Sequence, residues 1–191
     1  MHYSVCDLLL DVVQNSIEAG ARNVRFILTE TANRLLVEVE DDGRGMDGET
    51  VRRAQDPFYT EPGKHPGRKV GLGIPFLIQT VESCGGSYAI DSAPNRGTRL
   101  CFDLDLTDVD TPPIGDLPGT LRQMLCYDNE YEMEIHRSRG EKSYELKRSE
   151  LIETLGELES AGTLGLLQEF LKSQEAWIEE EEAEHGKNDP G

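Results

Sequence analysis

"VGLGIPFLIQTVESCGGSYAIDSAPNRGTRLCFDL", residues 70–104, reads as a helix followed by a hairpin. Apolar residues recur at helical spacing over 73–85, and Pro75 is tolerated because it falls in the first turn. "SYAIDSA" (87–93) and "TRLCFDLDL" (98–106) alternate like strands, with "PNRG" as the turn between them. Gly71 and Gly73 precede the helix, whose first N–H groups are free to attract phosphate. Their spacing matches neither G-x-x-x-x-G-K-[ST] nor G-x-G-x-x-G, so alone the pair is a weak signal. "RGTRLCF" (96–102) is alone no more than a turn entering a strand.

Upstream, "DPFYTEPGKHPGRKV" (56–70) holds three prolines and two glycines and reads as an irregular loop, long enough to serve as a lid. "GETVRRAQ" (48–55) suits a short helix. "DDGRGMD" (41–47) ends the strand "RLLVEVE" (34–40), which "TAN" joins to a preceding strand, "NVRFILTE" (23–30). An aspartate followed by G-x-G at a strand end can hold a purine. The carboxylate accepts a proton of the adenine amino group, and glycines let the backbone come close. Asp and Gly also make ordinary turns, so this signal too is weak alone.

The first helix contains "LLLDVVQNSIEAGA" (8–21). At about 100° per residue, Asp7, Asp11, Gln14, Asn15, Glu18 and Arg22 share one stripe, with Leu9, Val13 and Ile17 opposite. A solvated face would look the same. The order is helix, two strands, short helix, lid, helix, two strands. It predicts an α/β two-layer sandwich, one mixed sheet with helices on one face.

Downstream, "DTPPIGDLPG" (110–119) resembles a linker. A helix near 120–126, strands near 130–136 and 143–147, and helices near 149–160 and 164–182 follow, ending in the acidic run "EEEEAEHGKNDPG". Two domains are expected, 1–110 and a small acidic α+β region over 111–191, whose apolar residues would either pack on the first domain's sheet or in a core of their own, or dock a partner. The first carries 18 acidic and 11 basic residues and the second 19 and 8, within a formal charge of −18. Such a charge disfavours nucleic acid or an anionic membrane as partner. Cys6, Cys84, Cys101 and Cys126 are far apart, without metal-ligand spacing, and read as reduced thiols. With no 18-residue apolar run and no signal pattern, the expectation is a soluble, cytoplasmic protein.

Taken together and in this order, the motifs resemble the GHKL ATPase superfamily. An Asn sits on the first helix, D-x-G-x-G follows a strand, a lid precedes G-x-G at a helix start, and G-T enters the last strand. "NSIEAGA" is similar to the MutL and gyrase form, and the stretch from "DPFYTE" to "CFDL" to the histidine kinase catalytic domain (the HATPase_c type). Over the whole chain, "TDVDTPPIGDLPGTL" included, the likeness is to small stand-alone bacterial ATP-binding proteins of this superfamily.

The resemblance implies ATP with Mg²⁺. Asn15 would be the metal ligand, and Asp41 would hold the adenine amino group in a pocket shaped by Gly43, Gly45 and Met46. Thr98 would support the Asp41 end through water. Gly71, Leu72 and Gly73 would lie against the phosphates, which Lys64, Arg68 and Lys69 of the lid could also contact. Asp11 stands where hydrolysing members carry Glu and histidine kinases Asn, and it would be the general base. Lys69 stands where a glycine is often found.

His2, His65, His136 and His185 lack phosphoacceptor surroundings, and few residues precede Asn15. No dimerising hairpin with an acceptor histidine is therefore expected, and any acceptor would be on another chain. Two readings follow. One is an ATPase or a kinase acting on a partner protein. The other is a nucleotide-sensing module that docks a partner without chemistry.

Overall fold

The computed structural model describes residues 4–56 and 73–180. Helix α1 (Val5–Glu18) starts at a reciprocal cap, in which the Ser4 hydroxyl accepts the Asp7 N–H and the Asp7 carboxylate accepts the Ser4 N–H. Strands β1 (Asn23–Glu30) and β2 (Arg34–Asp41) follow, then the short helix α2 (Gly48–Ala54) and helix α3 (Gly73–Ser83). Strands β3 (Tyr88–Ser92) and β4 (Thr98–Asp105) close the first half. The second half adds α4 (Leu117–Leu125), β5 (Glu132–Arg139), β6 (Lys142–Lys147), α5 (Arg148–Leu155) and α6 (Ala161–Glu179).

All six strands form one mixed sheet in the order β3-β4-β2-β1-β5-β6. Only β1 and β5 run parallel; every other neighbouring pair is antiparallel. The strands of the acidic half thus extend the sheet of the first half along the whole edge of β1, from Asn23 opposite Glu132 to Glu30 opposite Arg139. Strand alternation puts Val24, Phe26 and Leu28 on the covered face, with Leu35, Val37, Val39, Leu100, Phe102, Leu104, Met133 and Ile135. Helices α1, α3, α4 and α6 supply the apolar layer over them, including Leu9, Val13, Leu77, Leu121 and Leu171. The other face carries charge, including Arg25, Glu38, Arg99 and Glu134.

Helix α4 begins at Leu117, earlier than the linker-like sequence suggests. The Asp116 carboxylate accepts the Gly119 N–H, and Pro118 lies in the first turn, where its missing N–H has no helical partner to lose. The linker itself is used. The carbonyls of Pro113 and Ile114 accept the first free N–H groups of α1, from Val5 and Cys6, at 2.9 Å each.

Candidate functional site

Asp41 is the last residue of β2, on the covered face, and is 8% exposed. Its Oδ2 accepts the Ser16 hydroxyl at 2.7 Å and its Oδ1 accepts the Gly43 N–H at 2.9 Å. A carboxylate offers about four acceptor positions, so these two bonds leave room for a ligand N–H.

The glycines around it are there for clearance. A Cβ on Gly43 would lie 2.9 Å from Asp41 Oδ1 and 3.0 Å from the Ala19 Cβ. Gly45 has φ +62°, and a Cβ there would lie 2.0 Å from the Ala93 carbonyl oxygen. Gly97, at φ +80°, passes so close to β2 that a Cβ would lie 1.7 Å from the Asp41 carbonyl oxygen.

Hydrogen bonds fix this loop to its surroundings. Arg44 N–H donates to the Ala19 carbonyl at 3.0 Å, and Asn95 N–H to the Arg44 carbonyl at 2.7 Å. Met46 N–H donates to Ser92 Oγ at 2.8 Å, and Ser92 Oγ is 2.9 Å from Thr98 Oγ1. Thr98 is the register partner of Asp41 across β2 and β4. Asp42 clamps the start of β1, accepting the backbone N–H groups of Arg22 and Asn23 and the Asn23 amide. Burial pushes the Asp42 carboxyl up, but these donors outweigh it and hold it below the usual carboxylate range.

Asp11 and Asn15 lie one turn apart on the exposed side of α1. Gly73 brings the start of α3 to both: a Cβ there would be 3.6 Å from Asn15 Nδ2 and 3.7 Å from Asp11 Oδ2. The first described turn of α3 thus comes close to an amide and a carboxylate. Tyr127, beyond α4, lies in the field of the same stripe. Burial raises its hydroxyl pKa most, and the charges of Asp11 and Glu18 add to the rise. Lys64, Arg68, Lys69, Gly71 and Leu72 lie outside the described residues.

The structure therefore gathers Asp41, Gly43, Gly45, Met46 and Thr98 at one end of α1, and Asp11, Asn15 and Gly73 further along it. The sequence reading missed Ser16 and Ser92. Ser16 sits next to Asn15 but turns inward among apolar residues, and only its hydroxyl hinted at a polar partner. Ser92 could have been found by aligning the hairpin, since it pairs with Thr98.

The family model of the histidine kinase-, DNA gyrase B- and HSP90-like ATPases matches residues 4–108. The chain belongs to that ATPase family. Membership implies ATP as the bound nucleotide. Among relatives, the sensor protein TorS of Escherichia coli (strain K12) is 34% identical over 93 residues, 49% of this chain and 10% of that protein. Sporulation kinase A of Bacillus subtilis (strain 168) is 30% identical over 95 residues, 49% of this chain and 15% of that kinase. The likeness thus spans only a small part of either relative. The solved N-terminal domain of a DNA repair protein superposes with a TM-score of 0.52 at 14% identity, covering 84% of this chain and 58% of that one. That likeness is one of fold, and it reaches past the family match into the acidic half. No helix among the described residues is long and apolar enough to cross a membrane.

Proposed function

We propose that residues 1–110 bind Mg-ATP and either hydrolyse it or pass its terminal phosphoryl group to a partner protein, which the acidic residues 111–191 dock. The observation that carries the reading is the approach of Gly73 to Asp11 and Asn15. A carboxylate, an amide and the start of α3 come together there, which supports reading Asp11 as the base and Asn15 as the hard-cation ligand.

Asp41 accepts a proton of the adenine amino group, Gly43, Gly45 and Met46 shape the pocket, and Thr98 supports that end through water. The Asn15 amide oxygen suits Mg²⁺, which would supply positive charge to the phosphate oxygens. Gly71, Leu72 and Gly73 offer backbone to the phosphates, with Lys64 and Lys69 as further contacts. Asp11 takes the proton of an attacking water or hydroxyl while its oxygen bonds to the terminal phosphorus. The bond to the ADP oxygen breaks in the same displacement.

Calorimetry and turnover test the reading together. Asp11→Asn should lower hydrolysis or phosphotransfer by about 10²–10⁴ with little change in ATP affinity. Asn15→Ala should weaken Mg-ATP while sparing metal-free ADP. Equal turnover in Asp11→Asn and the natural chain would leave the second reading, a nucleotide-sensing module. What favours that reading is the Asp11 side chain itself, one methylene shorter than the Glu of hydrolysing members.

A further inference from the structure

Helix α6 has two apolar stripes, and the fold covers one. Leu167 and Leu171 are 0% exposed and Ile178 is 3% exposed, whereas Leu166, Phe170 and Trp177 are 62%, 38% and 44% exposed. At about 100° per residue, the three exposed side chains fall within roughly 40° of one another, and the centre of their stripe lies roughly 100° from that of the buried set. They run about 16 Å along the helix.

The surroundings of the stripe are acidic. Glu169 and Glu180 flank it on one side, and Glu157 and Glu159 are exposed just before the helix. Nearby bases are engaged within the chain: Lys172 pairs with Glu169 at 3.0 Å, and Lys142 lies 4.7 Å over the Trp177 ring and donates to the Trp177 carbonyl. Resting on the reading of residues 111–191 as a docking region, we propose that this stripe receives a basic amphipathic segment of a partner protein. Apolar side chains of the partner pack on Leu166, Phe170 and Trp177, and its Lys and Arg side chains meet Glu169 and Glu180. A second copy is the poorer occupant, because it would press two acidic faces together in a chain of formal charge −18.

Trp177 is the only tryptophan, so its fluorescence reports on this surface alone. The probe is a synthetic lysine–leucine peptide of about 14 residues with leucines at amphipathic-helix spacing, beside a counterpart with every lysine replaced by glutamate. The lysine peptide should shift Trp177 emission to the blue. Its affinity should fall about tenfold between low and physiological salt, as screening predicts. Leu166→Asp and Phe170→Asp should each weaken it at least about tenfold, and calorimetry should find Mg-ATP binding unchanged. Failure of the lysine peptide to bind, an equal shift with the glutamate peptide, or undiminished binding by both variants would overturn the proposal. So would a blue shift that grows with protein concentration alone, which would assign the stripe to self-association. If the natural chain binds Mg-ATP but not the lysine peptide, docking alone is refuted; if it binds the peptide but not Mg-ATP, the nucleotide reading alone is refuted.

Discussion

Two buried carboxylates mark opposite ends of the β1–β2 ladder, and their surroundings differ. Glu30 pairs with Leu35 at one end and Asp41 with Val24 at the other, and each is 8% exposed on the covered face. Glu30 meets the Arg137 guanidinium at 2.5 Å and Arg139 at 3.5 Å. Arg137 also reaches Glu175 at 3.3 Å, and Glu175 accepts the Tyr144 hydroxyl at 2.5 Å. Burial first, then the Glu175 charge, pushes that hydroxyl far above its ordinary range. Among the described residues, Asp41 receives only a hydroxyl and an amide, and no cationic side chain pairs with it. Equal burial therefore has two outcomes. A carboxylate held by arginine ties β1 to β5 and α6, and one held by neutral donors keeps acceptor capacity for a ligand. A cleft of about 320 Å³ lies at the Glu30 end, lined by Arg137, Arg139, Lys172 and Glu175, away from Asp41.

Removing the arginine should have the largest effect. Arg137→Met leaves buried Glu30 with Arg139 at 3.5 Å and buried Glu175 with the Tyr144 hydroxyl but without the Arg137 charge, and the expected loss in urea denaturation is about 3–5 kcal/mol. Adding Glu30→Gln and Glu175→Gln should recover much of it. A loss below about 1 kcal/mol in the single variant would mean that the Glu30 end does not depend on its ion pairs.

Asp41→Asn should behave in the opposite way. Stability should change by no more than about 1 kcal/mol, because an amide can keep one of the two neutral bonds. ATP affinity should fall about tenfold to a hundredfold, the value of one charged hydrogen bond. Unchanged affinity in calorimetry would remove Asp41 from the adenine pocket.

The smallest effect belongs to Asp42. Its carboxyl is lowered in the folded chain, so its contribution is present above the ordinary carboxylate range, about pH 4, and is lost as pH falls through the lowered value. Asp42→Asn should therefore melt slightly below the natural chain at neutral pH, and the gap should close on acidification. A gap that stays constant down to about pH 3 would show that the clamp does not depend on the charge.

The nucleotide side was the more legible half of the sequence. The α1 stripe, the alternation of β1 and β2 and the glycines at 43, 45 and 97 are local signals, each tied to a period or to backbone clearance. The place of β5 was not legible. Alternation in "YEMEIHR" says which face a residue takes, but nothing in it selects β1 as a parallel neighbour, so the linker-like stretch and the charge made residues 111–191 look separate. Ser16 and Arg137 were hidden for the same reason, since the carboxylates they serve lie 25 and 107 residues away in sequence. Chain order cannot show such distant partners.

The parallel pairing of β1 with β5 also has a consequence in time. Thr29 and Ser138, which bond across it, are 109 residues apart. At about 5–20 residues per second, a ribosome needs roughly 5–20 s to make the strand that β1 awaits. Over that interval β1 and β2 can form their hairpin, yet the outer edge of β1 stays open to any passing strand. Newly made chains would be most prone to aggregate in this window, and a chaperone that covers the edge of β1 would be most useful to them then.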